Sequence, residues 1–218
     1  MKLISILFFL FGFPFTKDTT LQEKHPFEDE ILAFETTDKE SFPPRNAILF
    51  TGSSSIRLWK NLEESFEKKK VLNRGFGGSG IGDLIYYADR IVYPYRPKQI
   101  VIYSGENDIA GGKTPEQVFS DFKILFTGIR QKLPNTPVAF ISMKPSPSRA
   151  DKFEQIKEAN QLISNFLKTQ KKAAYINVFD KMLDENGQPR AELFLLDRLH
   201  MNEEGYAIWT KAIKPYLR

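Results

Sequence analysis

Apolar residues along the chain form short continuous runs that alternate with stretches of helical periodicity. Five runs are rich in β-branched and aromatic residues: AILFT, VLNRGF, QIVIYS, PVAFISM and AAYINV. Apolar positions recur every three to four residues near 55–67, 80–91, 114–132, 150–170 and 202–216. Alternating strands and helices predict βαβ units, and continuously apolar strands predict a parallel sheet covered on both faces. The expected fold is therefore α/β, a three-layer α/β/α sandwich around a five-stranded parallel sheet.

Two segments precede the first predicted strand. Residues 1–16 start with a single lysine followed by an apolar run, MKLISILFFLFGFPF, which is short for a membrane span of about 20 residues. This pattern predicts a signal peptide and an exported protein, periplasmic or secreted, with an uncleaved membrane anchor as the alternative. Residues 17–46 are a polar lead-in with one amphipathic helical pattern that the prolines of SFPPR end. The main domain is expected over residues 47–218.

Composition and charge limit the classes of function. The 31 basic and 27 acidic residues give a net charge of +4, and basic residues mostly alternate with acidic ones on the predicted helices. This distribution predicts no nucleic-acid partner. The chain has no cysteine and only two histidines, His25 and His200. Disulfides and cysteine-ligated metals are therefore excluded, and we expect no metal site and no cofactor. The sequence carries no signal for an oligomeric state.

Residues that can do chemistry follow four of the five predicted strands. GSSS comes after the first strand, NRGFGGSG after the second, GEND after the third, and DRLHMN between the fifth strand and the last helix. In open parallel α/β sheets, ligands bind outside the carboxyl ends of the strands. We therefore expect these four loops to build one site.

Two of the loops hold polar residues with more than one interpretation. A serine of the GSSS turn would lie near free backbone N–H groups at a helix start, which favour a developing anion, but serine is also a common helix cap. His200 follows Asp197 by three residues, a spacing that in a turn brings the carboxylate to the imidazole ring. The alternative is that Asp197 or Asn202 caps the last helix.

The other two loops are also ambiguous. GFGGSG matches the dinucleotide pattern G-x-G-x-x-G, but no acidic residue for a ribose lies between Asp89 and Glu106, and the motif follows the second strand instead of the first. Close approach of the glycine backbone to a substrate is therefore favoured over nucleotide or flavin binding. Asn107 in GEND is a good neutral donor to an oxyanion, although Asn-Asp is also a common turn pair.

In order and residue type, the four blocks resemble the SGNH hydrolase superfamily, also called GDSL-type esterases and lipases. The correspondence runs from FTGSSSI to DRLHMNEEGY, most of the predicted mature chain. The resemblance implies a flavodoxin-like fold and a serine esterase in which Ser54 is the nucleophile, His200 the base and then the acid, and Asp197 the residue that orients His200. Ser53 stands where the family has aspartate, so Ser55 remains a second candidate nucleophile.

The resemblance also implies an oxyanion hole. Its donors would be the backbone N–H groups of Ser54 and Gly78 and the side-chain amide of Asn107. Such a site takes a small-molecule or carbohydrate ester. Because no long apolar insertion offers an acyl channel or a lid, short-chain or acetyl esters are favoured. The segment KPSPSR, residues 144–149, is a candidate lid, but its two prolines favour a stiff loop.

Two alternative functions stay open. The first is a lysophospholipase or another acylhydrolase for longer chains. The second is a carbohydrate-binding derivative of the fold that has lost activity, because a fold does not by itself specify a function. None of the residues that the resemblance requires for catalysis is missing from the sequence, which favours an enzyme.

Overall fold

A computed structural model describes residues 24–218 of the chain. The signal peptide predicted for residues 1–16 lies outside the described residues and stays a prediction. Within residues 24–218, no helix is both long enough and apolar enough to cross a membrane.

The described residues contain five strands and eight α-helices. The strands are β1 (Ile48–Gly52), β2 (Val71–Gly75), β3 (Gln99–Tyr103), β4 (Val138–Ile141) and β5 (Ala173–Ile176). The helices are α1 (Glu28–Glu40), α2 (Ser54–Arg57), α3 (Leu62–Ser65), α4 (Ile81–Ile91), α5 (Glu106–Ala110), α6 (Pro115–Lys132), α7 (Phe153–Lys168) and α8 (Glu203–Ile213).

The five strands form one parallel sheet in the order β2-β1-β3-β4-β5. Side chains of β1 alternate between two hydrophobic clusters: Leu49 belongs to the cluster with α1, α4, α6 and α7, whereas Ile48 and Phe50 belong to the cluster with α2, α3 and α8. Every residue of β1, β3 and β4 is buried. The three-layer α/β/α fold and the five-stranded parallel sheet predicted from the sequence are confirmed.

Three helical segments differ from the sequence prediction. The helix expected over residues 55–67 is broken into α2 and α3, and Asn61, a residue type that favours turns, stands at the break. The helix expected from residue 150 begins at Phe153, after a 3₁₀ turn over Pro147–Lys152. Helix α5 was not expected, since its five residues are too few to show a helical period.

The lead-in helix α1 packs against the main domain. Its Ile31 is fully buried, and Arg90 of α4 forms ion pairs with Glu28 at 2.8 Å and Glu35 at 2.6 Å. Close to the start of α1, the Glu30 carboxylate accepts a hydrogen bond from the backbone N–H of Gly77, in the loop after β2. This contact connects the lead-in helix to one of the four loops predicted to build the site.

Candidate active site

The turn from β1 into α2 depends on Gly52. Its φ of +121° lies in the left-handed region, and a Cβ on Gly52 would stand 1.9 Å from the carbonyl oxygen of Tyr103 in β3. Only glycine fits there without displacing the backbone of the neighbouring strand. The N–H of Ser53 then donates to that same carbonyl oxygen at 3.0 Å, which fixes the start of the turn.

The three consecutive serines are all nearly buried, at 4%, 9% and 2% exposure for Ser53, Ser54 and Ser55. The Oγ of Ser54 lies 3.0 Å from Nε2 of His200. Ser53 precedes α2 but makes no side-chain capping bond. The backbone carbonyl of Ser55 accepts from the hydroxyl of Tyr206 in α8, which joins α2 to the last helix. Of the two candidate nucleophiles, the structure brings Ser54 to the histidine.

His200 lies in a tight loop that begins and ends in a short antiparallel bridge between Phe194 and Met201. One carboxylate oxygen of Asp197 accepts the backbone N–H groups of Leu199 and His200, both at 2.9 Å. The other lies 2.6 Å from Nδ1 of the His200 ring. Asn202, not Asp197, caps α8 by accepting the N–H of Gly205. Both interpretations of this loop therefore apply, to different residues: Asp197 contacts the imidazole ring of His200, and Asn202 caps α8.

Electrostatics keep Asp197 ionised. Burial raises the pKa of its carboxyl group, but hydrogen bonds from the His200 ring and from the N–H groups of His200 and Leu199 outweigh burial and lower the pKa to about 2. An ionised carboxylate can only accept, so it fixes the Nδ1–H tautomer of His200. Nε2 is then free to accept the hydroxyl proton of Ser54.

The two further donors predicted from the sequence, Gly78 and Asn107, lie side by side. They follow β2 and β3, the two strands that flank β1, so both loops adjoin the loop that carries Ser54. A Cβ on Gly78 would lie 3.9 Å from Nδ2 of Asn107. Within residues 24–218, the backbone N–H of Gly78 has no acceptor. Nδ2 of Asn107 donates to the carbonyl oxygen of Ser79 at 3.0 Å with one of its two hydrogens.

The other glycines of GFGGSG face protein atoms. Gly77 has a φ of +40°, and a Cβ there would stand 2.2 Å from the ring of Phe27. A Cβ on Gly80 would stand 2.7 Å from both carboxylate oxygens of Asp108. These close approaches explain two of the glycines, because the loop packs on Phe27, directly before α1, and on α5.

Four polar residues beside Asn107 were missed by sequence reasoning. Glu106 is 3% exposed and contacts Lys144, Ser146 and Arg149. Burial raises the pKa of Glu106, but the charges of Lys144 and Arg149 outweigh it and hold the pKa below its usual value. Three of the four residues belong to KPSPSR, the segment considered as a lid. Lys144 and Ser146 are 1% and 2% exposed, so the first half of the segment is buried in the protein beside Asn107.

The region that carries all these loops, residues 49–208, matches the family model described as the GDSL-like lipase/acylhydrolase family. The chain belongs to this family. A comparison with curated proteins finds no match.

Several solved structures share the fold. A candidate platelet activating factor from Streptococcus pneumonia is 23% identical, with a TM-score of 0.78 over 88% of this chain and 93% of that one. A GDSL-like lipase from Bacteroides thetaiotaomicron is 20% identical, with a TM-score of 0.72 over 85% and 96%. A family 3 carbohydrate esterase from Clostridium thermocellum is 17% identical, with a TM-score of 0.62 over 79% and 97%. The shared fold thus extends over nearly the whole of each of these three neighbours.

Residues 24–218 contain no group of three or more histidine, cysteine, aspartate or glutamate side chains placed to hold a metal ion.

Proposed function

We propose that this GDSL-family protein is a serine esterase that hydrolyses short-chain carboxylic esters, with acetyl esters of carbohydrates as the favoured class. The observation that carries the proposal is a continuous chain of contacts from Ser54 through His200 to Asp197, 3.0 Å and 2.6 Å long. This is the arrangement that activates a serine hydroxyl for acyl transfer.

The reaction proceeds in two halves. The Oγ of Ser54 attacks the ester carbonyl carbon while its proton passes to Nε2 of His200. The bond from the carbonyl carbon to the alcohol oxygen then breaks, and Nε2 returns the proton to that oxygen, which leaves an acyl group on Ser54. Water then attacks the acyl carbon while Nε2 takes one of its protons. The bond from the acyl carbon to Oγ breaks, and Nε2 returns the proton to Oγ, which releases the acid and restores the serine hydroxyl.

In each half of the reaction the carbonyl oxygen of the ester becomes negatively charged and needs hydrogen-bond donors around it. We assign this role to the N–H groups of Ser54 and Gly78 and to Nδ2 of Asn107. Two features support the assignment: the Gly78 N–H has no acceptor in residues 24–218, and the amide of Asn107 stands next to Gly78. Removal of one such donor typically slows the reaction by about 10² to 10³, so Asn107→Ala is expected to be slow and still active.

A second candidate function is hydrolysis of longer acyl esters, such as lysophospholipids. The observation that favours it is an apolar tip on the loop that carries Asp197 and His200. Leu195 is 50% exposed and Leu196 is 103% exposed, and both directly precede Asp197. Exposed leucines beside a catalytic histidine offer a surface for an acyl chain or a lipid–water interface. The two candidates differ in the acyl chain length that they favour.

A chain-length series of p-nitrophenyl esters separates the candidates. We expect the highest kcat/KM on the acetyl ester, no activity in Ser54→Ala, and nearly unchanged activity in Ser55→Ala, the matched control next to it. Activity that rises with chain length and falls in Leu195→Ser/Leu196→Ser identifies the longer-chain enzyme. A protein that hydrolyses none of these esters or acetylated glycans contradicts the esterase assignment.

A further inference from the structure

A cluster of buried charges lies beside the oxyanion hole and has no part in the proton transfers described above. The carboxylate of Glu106 lies 2.6 Å from the ammonium group of Lys144, and the two residues are 3% and 1% exposed. The Ser146 hydroxyl donates to Glu106 at 2.5 Å, and the Tyr103 hydroxyl donates to it as well. Buried ion pairs of this kind are costly to assemble and contribute little net stability, so stability alone does not account for the cluster.

Arg149 connects this cluster to Asn107. Its Nη2 donates to Oδ1 of Asn107 at 2.7 Å, and its Nη1 lies 3.4 Å from Glu106. Arginine has no acceptor, so the atom that it meets on Asn107 must be the carbonyl oxygen of the amide. At the other end, the carbonyl oxygen of Ser79 requires the amide nitrogen. The side chain of Asn107 is thereby held in a single orientation, with one hydrogen of Nδ2 left for a substrate.

We propose that Arg149 is a positioning residue of the oxyanion hole, which fixes the amide of Asn107 and strengthens Nδ2 as a donor. A positive charge on the oxygen side of an amide polarises it and makes its N–H groups better donors. The proposal rests on the proposed esterase function. Arg149 acts through Asn107 and does not touch the reacting atoms.

The remaining members of the cluster hold Arg149 in place. Glu106 balances its charge, while Lys144 and Ser146 orient Glu106. The same segment is also tied to the histidine loop, because the N–H of Ser148 donates to the carbonyl oxygen of Arg198 at 3.0 Å. The segment KPSPSR thus connects Asn107, on the oxyanion side of the proposed site, to the loop that carries His200.

A double-mutant cycle tests the proposal. The kinetic constants of the full chain, Arg149→Met, Asn107→Ala and the double variant are measured on one ester. We expect Arg149→Met to lower kcat about 10- to 100-fold with little change in KM, since a charge-assisted hydrogen bond is lost from the transition state. In the Asn107→Ala background, the same substitution is expected to change kcat by less than about threefold.

Two further variants complete the design. Arg149→Lys keeps a positive charge beside Glu106 but lacks the planar guanidinium group, so its kcat is expected to lie between those of the wild type and Arg149→Met. If Arg149→Met does not fold, Arg149→Lys replaces it in the cycle. Arg190→Met is the matched control, because it removes an arginine whose contact is an exposed ion pair with Glu192. Circular dichroism and thermal melting check that each variant is folded.

Two kinetic results overturn the proposal. If Arg149→Met lowers kcat by the same factor in the wild type and in Asn107→Ala, Arg149 acts independently of Asn107. If KM rises while kcat stays constant, Arg149 binds the substrate directly.

A readout without turnover separates this proposal from the esterase assignment. The side-chain amide signals of Asn107 in ¹⁵N–¹H spectra are expected to shift in Arg149→Lys and to stay in place in Arg190→Met. Unchanged Asn107 signals in Arg149→Lys overturn the positioning role. A wild-type protein that hydrolyses no ester overturns the proposed function alone, since the amide signals still report on Arg149.

Discussion

The three serines of GSSS show how position decides chemistry between identical side chains. The backbone N–H of Ser53 donates to β3, and its hydroxyl makes no capping hydrogen bond to α2. Ser55 is 2% exposed, and its carbonyl oxygen is bonded to Tyr206. Ser54 begins α2, and its Oγ meets Nε2 of His200. A shift of one residue in either direction would change which serine hydroxyl reaches His200.

Asp197→Asn tests how the carboxylate acts on His200. An asparagine amide can donate to Nδ1, which would leave the proton on Nε2 and prevent that atom from accepting the proton of Ser54. We expect kcat to fall by about 10⁴-fold while the protein stays folded. Asp184→Asn is the matched control, because Asp184 also accepts two backbone N–H groups in a turn but contacts no histidine. Equal activity in Asp197→Asn and the control contradicts the assigned role.

The same substitution has a consequence for stability in acid. The pKa of Asp197 is lowered from 3.8 to about 2 in the folded protein, so its stabilising contribution is present above the unfolded pKa and is lost as pH falls through about 2. We therefore expect the unfolding free energy of the wild type to exceed that of Asp197→Asn at about pH 5, and the difference to shrink towards about pH 2. Urea unfolding at the two pH values measures it, and a difference independent of pH refutes the assigned pKa.

At the scale of elements, the order of the sheet assembles the site. Strand β1 lies between β2 and β3, so the loop with Ser54 is flanked by the loop with Gly78 and by helix α5 with Asn107. The helix that precedes the sheet also takes part. Glu30 of α1 accepts the N–H of Gly77 at 3.0 Å, directly before Gly78.

Glu30→Ala tests whether α1 supports the loop with Gly78, a proposed donor to the oxyanion. Loss of this acceptor frees the backbone of Gly77 and lets Gly78 move, so we expect kcat to fall by up to about tenfold with little change in the melting temperature. Glu30→Gln keeps an acceptor oxygen and is expected to retain most of the activity. Asp29→Ala, which removes a neighbouring carboxylate paired with the exposed Lys24, is the control. Full activity in Glu30→Ala means that the loop needs no support from α1.

Much of the arrangement could be predicted from the sequence because its signals are local. Buried parallel strands are visible as continuous apolar runs, and the contact between Asp197 and His200 spans three residues of one turn. The cluster around Arg149 could not be predicted in this way. Glu106 and Arg149 belong to different segments that only the fold brings together, and KPSPSR has the composition of an ordinary surface loop. Helix α5 escaped prediction because it is a single short turn after a glycine.

At the scale of the whole molecule, the residues proposed to transfer the proton and those proposed to bind the oxyanion are held by different parts of one sheet edge. The histidine loop is fixed by α8 and by the bridge between Phe194 and Met201, whereas the oxyanion side is fixed by α1, α5 and KPSPSR. Ser54 stands between them at the end of a central strand. Export of the protein, predicted from residues 1–16, would place this site outside the cytoplasm and remains a prediction.

Covalent labelling of the full chain with a fluorophosphonate tests the central claim most directly. The reagent phosphonylates an activated serine, and mass spectrometry of the peptides locates the adduct. We predict one equivalent of label on Ser54, unchanged labelling in Ser55→Ala, and none in Ser54→Ala or His200→Ala. Label on Ser53 or Ser55, or no reaction with the folded protein, would contradict the assignment of Ser54 as the nucleophile.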